Sequence, residues 1–227
     1  HISKARYLLK ESWPLMVSGL VVMVYMKIDQ IMIKEMMNTT AVGIYSAAMR
    51  LSEAWYFVPM LISQSLFPAI LSAKKSDEAL YKLRLQRLLN LMMFFSLVIA
   101  IIFTFLSDWI INFLYGPSFD GAGDILSIQV WAGVAVSSGV VSSNWFLIEG
   151  LQKYSMYRTS VGAVINVILN LILIPLYGIA GSAVATLISQ FVASVLLNAF
   201  FSSTRVIFKL QTRAILGIGL LGNREPV

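Results

Sequence analysis

Six long apolar runs divide this chain, and their lengths limit the possible folds more than any other feature. The runs cover residues 13–33, 42–71, 88–106, 125–148, 155–176 and 179–201. A helix rises about 1.5 Å per residue, so each run can cross a hydrocarbon core of about 30 Å. We predict an all-α membrane protein, with a six-transmembrane-helix bundle over residues 1–203 and a basic tail over residues 204–227.

The positive residues alternate between the two sides of these runs. Of 17 Lys and Arg residues, 14 precede the first run or follow the second, fourth and sixth runs, whereas the other connections hold only Lys34. Short loops rich in Lys and Arg stay in the cytoplasm. We therefore predict that both ends of the segment, including the tail, are cytoplasmic. The connection with Asp108, Asp120 and Asp124 then faces outward.

Composition excludes several classes of function. Charged residues are 12% of the chain and hydrophobic residues 58%, whereas soluble proteins have about 25% charged residues. The positive residues lie at the ends of the runs and not in a stripe with aromatic residues, so we expect no nucleic-acid partner. Cys is absent and His1 is the only histidine. Thiolate chemistry, a catalytic triad and a His-based metal site have no candidate, and we expect no cofactor.

Four ionisable residues lie inside the first two runs, where a charge is costly. They are Lys27, Asp29, Arg50 and Glu53. A charge at the bilayer centre costs about 2.5 to 3.5 kcal/mol on insertion scales, so these side chains should face the bundle interior, water or one another. Lys27 and Arg50 lie at similar depth, about 10 and 12 Å from the outer ends of their helices. Asp29 could meet Arg50, or Lys27 could meet Glu53.

Two interpretations of these charges stay open. Buried ion pairs could hold the first helical hairpin in register. Alternatively, a water-filled cavity could present Lys27 and Arg50 to an anionic substrate, while Asp29 and Glu53 tune the cations or carry coupling protons. We favour the second interpretation, because desolvation makes buried ion pairs a weak source of stability.

Pro59 lies inside the second run, which is too long for one untilted crossing. Proline removes a backbone donor and clashes with the preceding helical turn, so we predict a kink or hinge near this residue. A continuous helix that is only tilted is the alternative.

Several stretches carry a resemblance to a known family. They are LLKESWPL at 8–15, YMKIDQIM at 25–32, VGIYSAAMRLSE at 42–53, WYFVP at 55–59, YGIAGSAVAT at 177–186, and Asn166, Asn170 and Pro175. They resemble bacterial oligosaccharide flippases of the polysaccharide transport family, in the multidrug/oligosaccharidyl-lipid/polysaccharide exporter superfamily. The resemblance implies two six-helix bundles around a central cavity. This chain would be the C-terminal bundle, and the N-terminal bundle would be missing. The chain begins without Met, which also suggests an excised piece of something longer.

The resemblance implies a transporter and not an enzyme. Such a flippase acts in the bacterial inner membrane and moves an undecaprenyl-diphosphate-linked oligosaccharide to the outer leaflet by alternating access, for surface polysaccharides such as O-antigen. Lys27 and Arg50 occupy positions where the family motifs carry basic residues, and would bind the diphosphate. Lys34 and Glu35 depart from the family pattern, which affects only the outer turn.

Two other functions are alternatives. In a drug or cation antiporter of the same superfamily, Asp29 and Glu53 would bind a proton or a sodium ion. A membrane glycosyl or lipid transferase would need a cluster of carboxylates or a histidine at a membrane face, which we do not find in the sequence.

Overall fold

A computed structural model describes the backbone of residues 2–217. Side chains are described for residues 12, 13, 16, 17, 19–21, 23 and 24, and for residues 27–217. Most side chains of the family-like stretch at 8–15 lie outside this set, as does the end of the predicted tail at 218–227.

Residues 2–217 are almost entirely helical, and no strand occurs among them. The α-helices are α1 Ile2–Met36, α2 Thr39–Ala54, α3 Phe57–Ser76, α4 Glu78–Tyr115, α5 Ala122–Ile148, α6 Gln152–Ser194 and α7 Arg205–Ile215. Short 3-10 turns cover residues 117–119, 196–199 and 202–204. The predicted all-α class is confirmed.

Four helical segments of the described part are long and apolar enough to cross a membrane. They are Thr39–Ser76, Glu78–Tyr115, Ala122–Ile148 and Gln152–Ala199. The first predicted run lies in α1, where many side chains are not described. Each of the other predicted runs lies largely within one of the four segments, and the last segment holds two of them. The count of six crossings stays a prediction.

The last segment doubles back on itself at Gly178. This glycine has φ 60° and ψ −140°, a backbone conformation that interrupts α6 and that glycine adopts at little cost. Beyond it, Gly181 packs so closely against the backbone of Leu173 that a Cβ would clash. Deeper in the hairpin, the amide of Asn166 donates to the hydroxyl of Thr186 at 3.4 Å. Residues 152–177 and 179–194 are therefore two antiparallel arms.

A second interruption separates α2 from α3 at Trp55 and Tyr56. Val58 N donates to Trp55 O at 3.0 Å, a tighter bond than the α-helical pattern. Pro59, the third residue of α3, has no N–H to donate to that carbonyl. Trp55 is buried against Gly133 of α5, where a Cβ would clash with its ring. The long second run is thus two helices, and the break lies within one turn before Pro59.

The described part of the predicted tail is folded onto the bundle. In α7, Ile207, Leu210 and Ala214 are buried in a cluster with side chains of α4 that include Tyr81 and Leu85. The neighbouring Gln211 is also buried and donates to Ser138 Oγ at 2.8 Å. The other face of α7 carries its exposed basic residues. The apolar side of α7 therefore packs against the protein, and its basic residues are left on the surface.

Candidate functional site

A cavity lined by polar and charged side chains lies inside the described part of the bundle. It has a volume of about 270 Å³ and lies between α1, α2, α5 and both arms of α6. Asp29 and Glu53 line it, and Arg158 also lies on its wall. Two of the four charges singled out in the sequence therefore border this cavity. Lys27 and Arg50 do not line it.

Asp29 is held by neutral donors. It is 1% exposed. One carboxylate oxygen accepts from Thr186 Oγ1 at 2.6 Å and from the Tyr45 hydroxyl at 3.0 Å. The other accepts from Asn170 Nδ2 at 2.7 Å. These donors come from α2 and from both arms of α6, so the Gly178 hairpin is what assembles the site.

Amide side chains form a second layer around this carboxylate. Gln129 Nε2 donates to the Tyr45 hydroxyl at 2.9 Å, and Asn170 Nδ2 also reaches Asn166 Oδ1 at 3.1 Å. The carbonyl oxygens of Gln129 and Asn170 are buried without a hydrogen-bond partner. Buried acceptors of this kind are costly unless something binds them. Carboxylate, hydroxyl and amide oxygens are ligands that hard cations prefer, so this layer is suited to a proton or a small hard cation.

The structure does not form the ion pairs that the sequence allowed. Among the described residues, the salt bridges within 4 Å lie near the α3–α4 turn. Lys74 pairs with Glu78 and with Glu149, and Lys82 pairs with Glu78. Asp29 instead points toward α6, where neutral donors satisfy it. The ion pairs that could hold the first hairpin in register are therefore not formed within 4 Å among the described residues, and the choice between the two interpretations stays a prediction.

Lys27 and Arg50 are exposed on the surface of the bundle. Arg50 lies on the side of α2 away from the buried Tyr45 and Met49. Glu53 is half-buried between that surface and the cavity, within range of the charge of Lys27. We use the name cationic face for the exposed parts of α1 and α2 that carry Lys27 and Arg50. The structure thus separates two cations outside the bundle from the acids that line the cavity.

Arg158, one of the 14 positive residues predicted to lie in cytoplasmic connections, is buried inside the bundle. We counted it in the basic connection after the fourth run, although it also falls in the fifth run. In the structure it is 6% exposed within the first arm of α6. It donates to Ser142 Oγ and Ser143 Oγ, both at 2.6 Å, and to Gly139 O at 3.0 Å. Its guanidinium also lies 4.9 Å from the ring centre of Phe146.

The misplacement of Arg158 has a clear cause. A positive residue near the end of an apolar run can lie in the loop or turn inward, and loop counting treats both alike. The consecutive Ser142 and Ser143 in the facing run were the available signal for an inward position. With Arg158 inside the bundle, Lys153 alone supports the cytoplasmic assignment of that connection.

The chain is similar in sequence to known membrane proteins. A sequence model of the family described as "Polysaccharide biosynthesis protein" matches residues 1–124. The chain belongs to this family. A probable flippase of Haloferax volcanii is 32% identical over 182 residues, which are 77% of this chain and 37% of that protein. A probable low-salt glycan biosynthesis flippase of the same organism is 28% identical over 191 residues, covering 82% of this chain and 40% of that protein.

A solved structure shares the fold. It is a MOP superfamily transporter from Pyrococcus furiosus, with a TM-score of 0.69 and 19% sequence identity, covering 94% of this chain and 51% of that one. The chain spans less than half the length of the curated relatives described above. This member of the polysaccharide biosynthesis family is therefore similar in sequence to probable flippases, and it shares the fold of a MOP superfamily transporter. The bacterial origin and the C-terminal position in a longer protein stay predictions.

Proposed function

We propose that the chain is the C-terminal lobe of a flippase. It moves a lipid-diphosphate-linked oligosaccharide, of the undecaprenyl type in a bacterium, from the cytoplasmic to the outer leaflet of the cell membrane. The missing N-terminal bundle completes the transport path, and both ends of this segment are cytoplasmic. The proposal is supported by family membership, by the flippase relatives and by the placement of the four charges.

The cationic face is the observation that carries this proposal. Lys27 and Arg50 are exposed, although Lys27 lies in an apolar run of the sequence and Arg50 lies in a helical segment long and apolar enough to cross a membrane. A cation directed at hydrocarbon is costly, so this face should meet water or another part of the protein. A central cavity between two lobes provides both. Arg50 can donate two parallel hydrogen bonds to a phosphate, and Lys27 adds a second positive charge for a diphosphate.

The acids of the inner cavity fit a coupling role. Asp29 is buried among neutral donors, and its charge can be neutralised only by a proton or a bound cation, since no described cation lies within 4 Å. The donors come from α2 and from both arms of α6, so the full set of hydrogen bonds requires these helices to pack together around α1. Binding or release of a proton or cation at Asp29 would therefore favour one arrangement of these helices over another. Glu53, between cavity and cationic face, would connect this event to the substrate.

The same cavity makes a drug or cation antiporter the second candidate. Its two acids suit a cationic substrate as well as a coupling ion. In that case Lys27 and Arg50 would repel the substrate and have no role in its binding. A glycosyl or lipid transferase has no comparable support, because the described residues contain no cluster of three or more His, Cys, Asp or Glu side chains.

A transport assay separates the two candidates. Full-length protein in vesicles should move a fluorescent lipid-diphosphate oligosaccharide between leaflets faster than protein-free vesicles, and faster than the matching lipid monophosphate. A cationic dye should not compete. Transport of the dye itself, together with no movement of the diphosphate lipid, would establish the antiporter and contradict the flippase.

Pro59 is proposed as the hinge of the second crossing. Pro59→Ala supplies an N–H that can bond to Trp55 O, so α2 and α3 should tend to join into one helix. We expect several-fold slower transport with the protein still inserted. Pro68→Ala is the matched control, because Pro68 lies inside α3 away from the break. Unchanged transport by Pro59→Ala would show that the break between α2 and α3 is a static feature of the fold and does not act as a hinge.

A further inference from the structure

A groove on the outer surface of the bundle lies between α3 and α4. Its volume is about 240 Å³, and it is separate from the inner cavity. Leu66, Ala69 and Ile70 of α3 and Leu88 and Leu91 of α4 form its walls. Arg84 and Arg87 are its only charged lining residues. The groove therefore combines an apolar channel with two positive charges.

The two arginines lie toward one end of this groove. α3 and α4 are antiparallel around the turn at Asp77, whose side chain caps α4 by accepting from Ala79 N at 2.8 Å. Arg84 lies about 10 Å along α4 from that turn, and Leu91 about 20 Å. Arg87 lies between them, at about 15 Å. The arginines thus lie in the part of the groove nearer the turn, on the predicted cytoplasmic side, and the leucine walls extend deeper into the predicted membrane.

Unlike the neighbouring Lys74 and Lys82, these arginines have no acidic partner among the described residues. Lys74 lies 2.9 Å from Glu149 and 3.1 Å from Glu78, and Lys82 lies 3.8 Å from Glu78. Arg84 donates instead to the backbone carbonyl of Ala69. Arg87 is exposed, and no described residue forms a salt bridge with it. The local acids are used elsewhere, so the groove keeps two positive charges.

We propose that this groove is a binding site for an anionic phospholipid of the cytoplasmic leaflet. The phosphate and its neighbouring anionic head group lie at Arg84 and Arg87, and one hydrocarbon chain lies along the leucine walls. Charge complementarity and the order of basic and apolar ends both match such a lipid. Basic pockets between membrane helices are known to attract anionic head groups. This site is independent of the transport function proposed above.

Retention of lipid by the purified full-length protein tests this site. The protein in detergent is mixed with equal amounts of phosphatidylglycerol and phosphatidylcholine of identical chains, and the bound lipid is counted by native mass spectrometry. Wild-type protein should prefer phosphatidylglycerol. Arg87→Gln should lower that preference about fivefold, and Arg84→Gln with Arg87→Gln up to about thirtyfold. Arg87→Gln is the safer variant to interpret, since Arg84 also bridges α3 and α4.

A steric variant and a charge-matched control complete the design. Ala69→Phe fills the groove from an exposed position and keeps both positive charges in the chain, so it should also reduce retention. Arg205→Gln with Arg213→Gln removes two exposed charges from α7, outside the groove, and should change nothing. The proposal is overturned if Ala69→Phe keeps the full preference, because the attraction is then only a surface charge effect. It is equally overturned if the α7 control loses as much lipid as Arg87→Gln. Preferential retention of a polyprenyl diphosphate over phosphatidylglycerol in the groove would also contradict it, since the site would then belong to the substrate.

Discussion

Replacing Arg50 with alanine should lower transport of the lipid-linked oligosaccharide about ten- to hundredfold, the range expected for losing a hydrogen bond to a charged group. Arg50 is exposed and makes no described ion pair, so its removal leaves no buried acid without a partner. Protein abundance in the membrane should therefore stay near the wild-type level. Arg50→Lys should recover part of the activity, because the charge remains while the planar two-pronged donor is lost.

The amount of protein in the membrane, measured together with polysaccharide export, distinguishes a binding role of Arg50 from a structural role. Arg213→Ala, an exposed arginine of α7, is the matched control and should export normally. If Arg50→Ala lowers abundance as well, and if a second change of Asp29 or Glu53 to Ala restores both abundance and export, then Arg50 is a structural ion-pair partner. That rescue would contradict a role in substrate binding.

Asp29→Asn should produce the other large effect, which is loss of coupling to a cation gradient. The amide has nearly the shape of the carboxylate, so the bundle should still fold. It has no charge for a proton or cation to neutralise. We expect cation-driven transport to fall about 5- to 150-fold, the usual range of a coupling free energy between two sites. The measurement is the transport rate with and without an imposed proton or sodium gradient.

The partners of Asp29 provide a graded series for the same measurement. Thr186→Val removes the shortest hydrogen bond to the carboxylate and should weaken the cation dependence less than Asp29→Asn. Glu35→Gln is the matched acidic control, because Glu35 is exposed near the end of α1 and outside the cavity. If Asp29→Asn keeps the full response to both gradients, the buried carboxylate has only a structural role.

Much of the fold could be predicted because long apolar runs leave few alternatives to membrane helices. The helical class and the break near Pro59 follow from local chemistry, namely apolar length and a missing backbone donor. The hairpin at Gly178 was also visible locally, since Pro175 and Gly178 interrupt the last apolar stretch. These features depend on neighbouring residues along the chain, which is why sequence reasoning reached them.

The candidate site was predicted only in part, because its contacts join distant residues. Asp29 and Glu53 stood out as charges in apolar runs, but the partners of Asp29 lie 16, 141 and 157 residues away along the chain. Sequence reasoning offered Arg50 as a partner because it considered only the adjacent hairpin. Arg158 was missed for the related reason that its direction depends on the serines of α5. The separation of cations and acids required the assembled bundle.

The central claim is that the cationic face binds the substrate while the acidic cavity binds the coupling ion. Its most direct test measures both kinds of binding on purified full-length protein carrying Arg50→Ala or Asp29→Asn. Binding is followed as stabilisation against heat by a lipid-diphosphate oligosaccharide, and separately by sodium ions or by lowered pH. We predict that Arg50→Ala loses stabilisation by the substrate and keeps that by the cation, whereas Asp29→Asn shows the reverse. If either variant loses both responses, or if Arg50→Ala binds the substrate as well as wild type, the division between face and cavity is wrong.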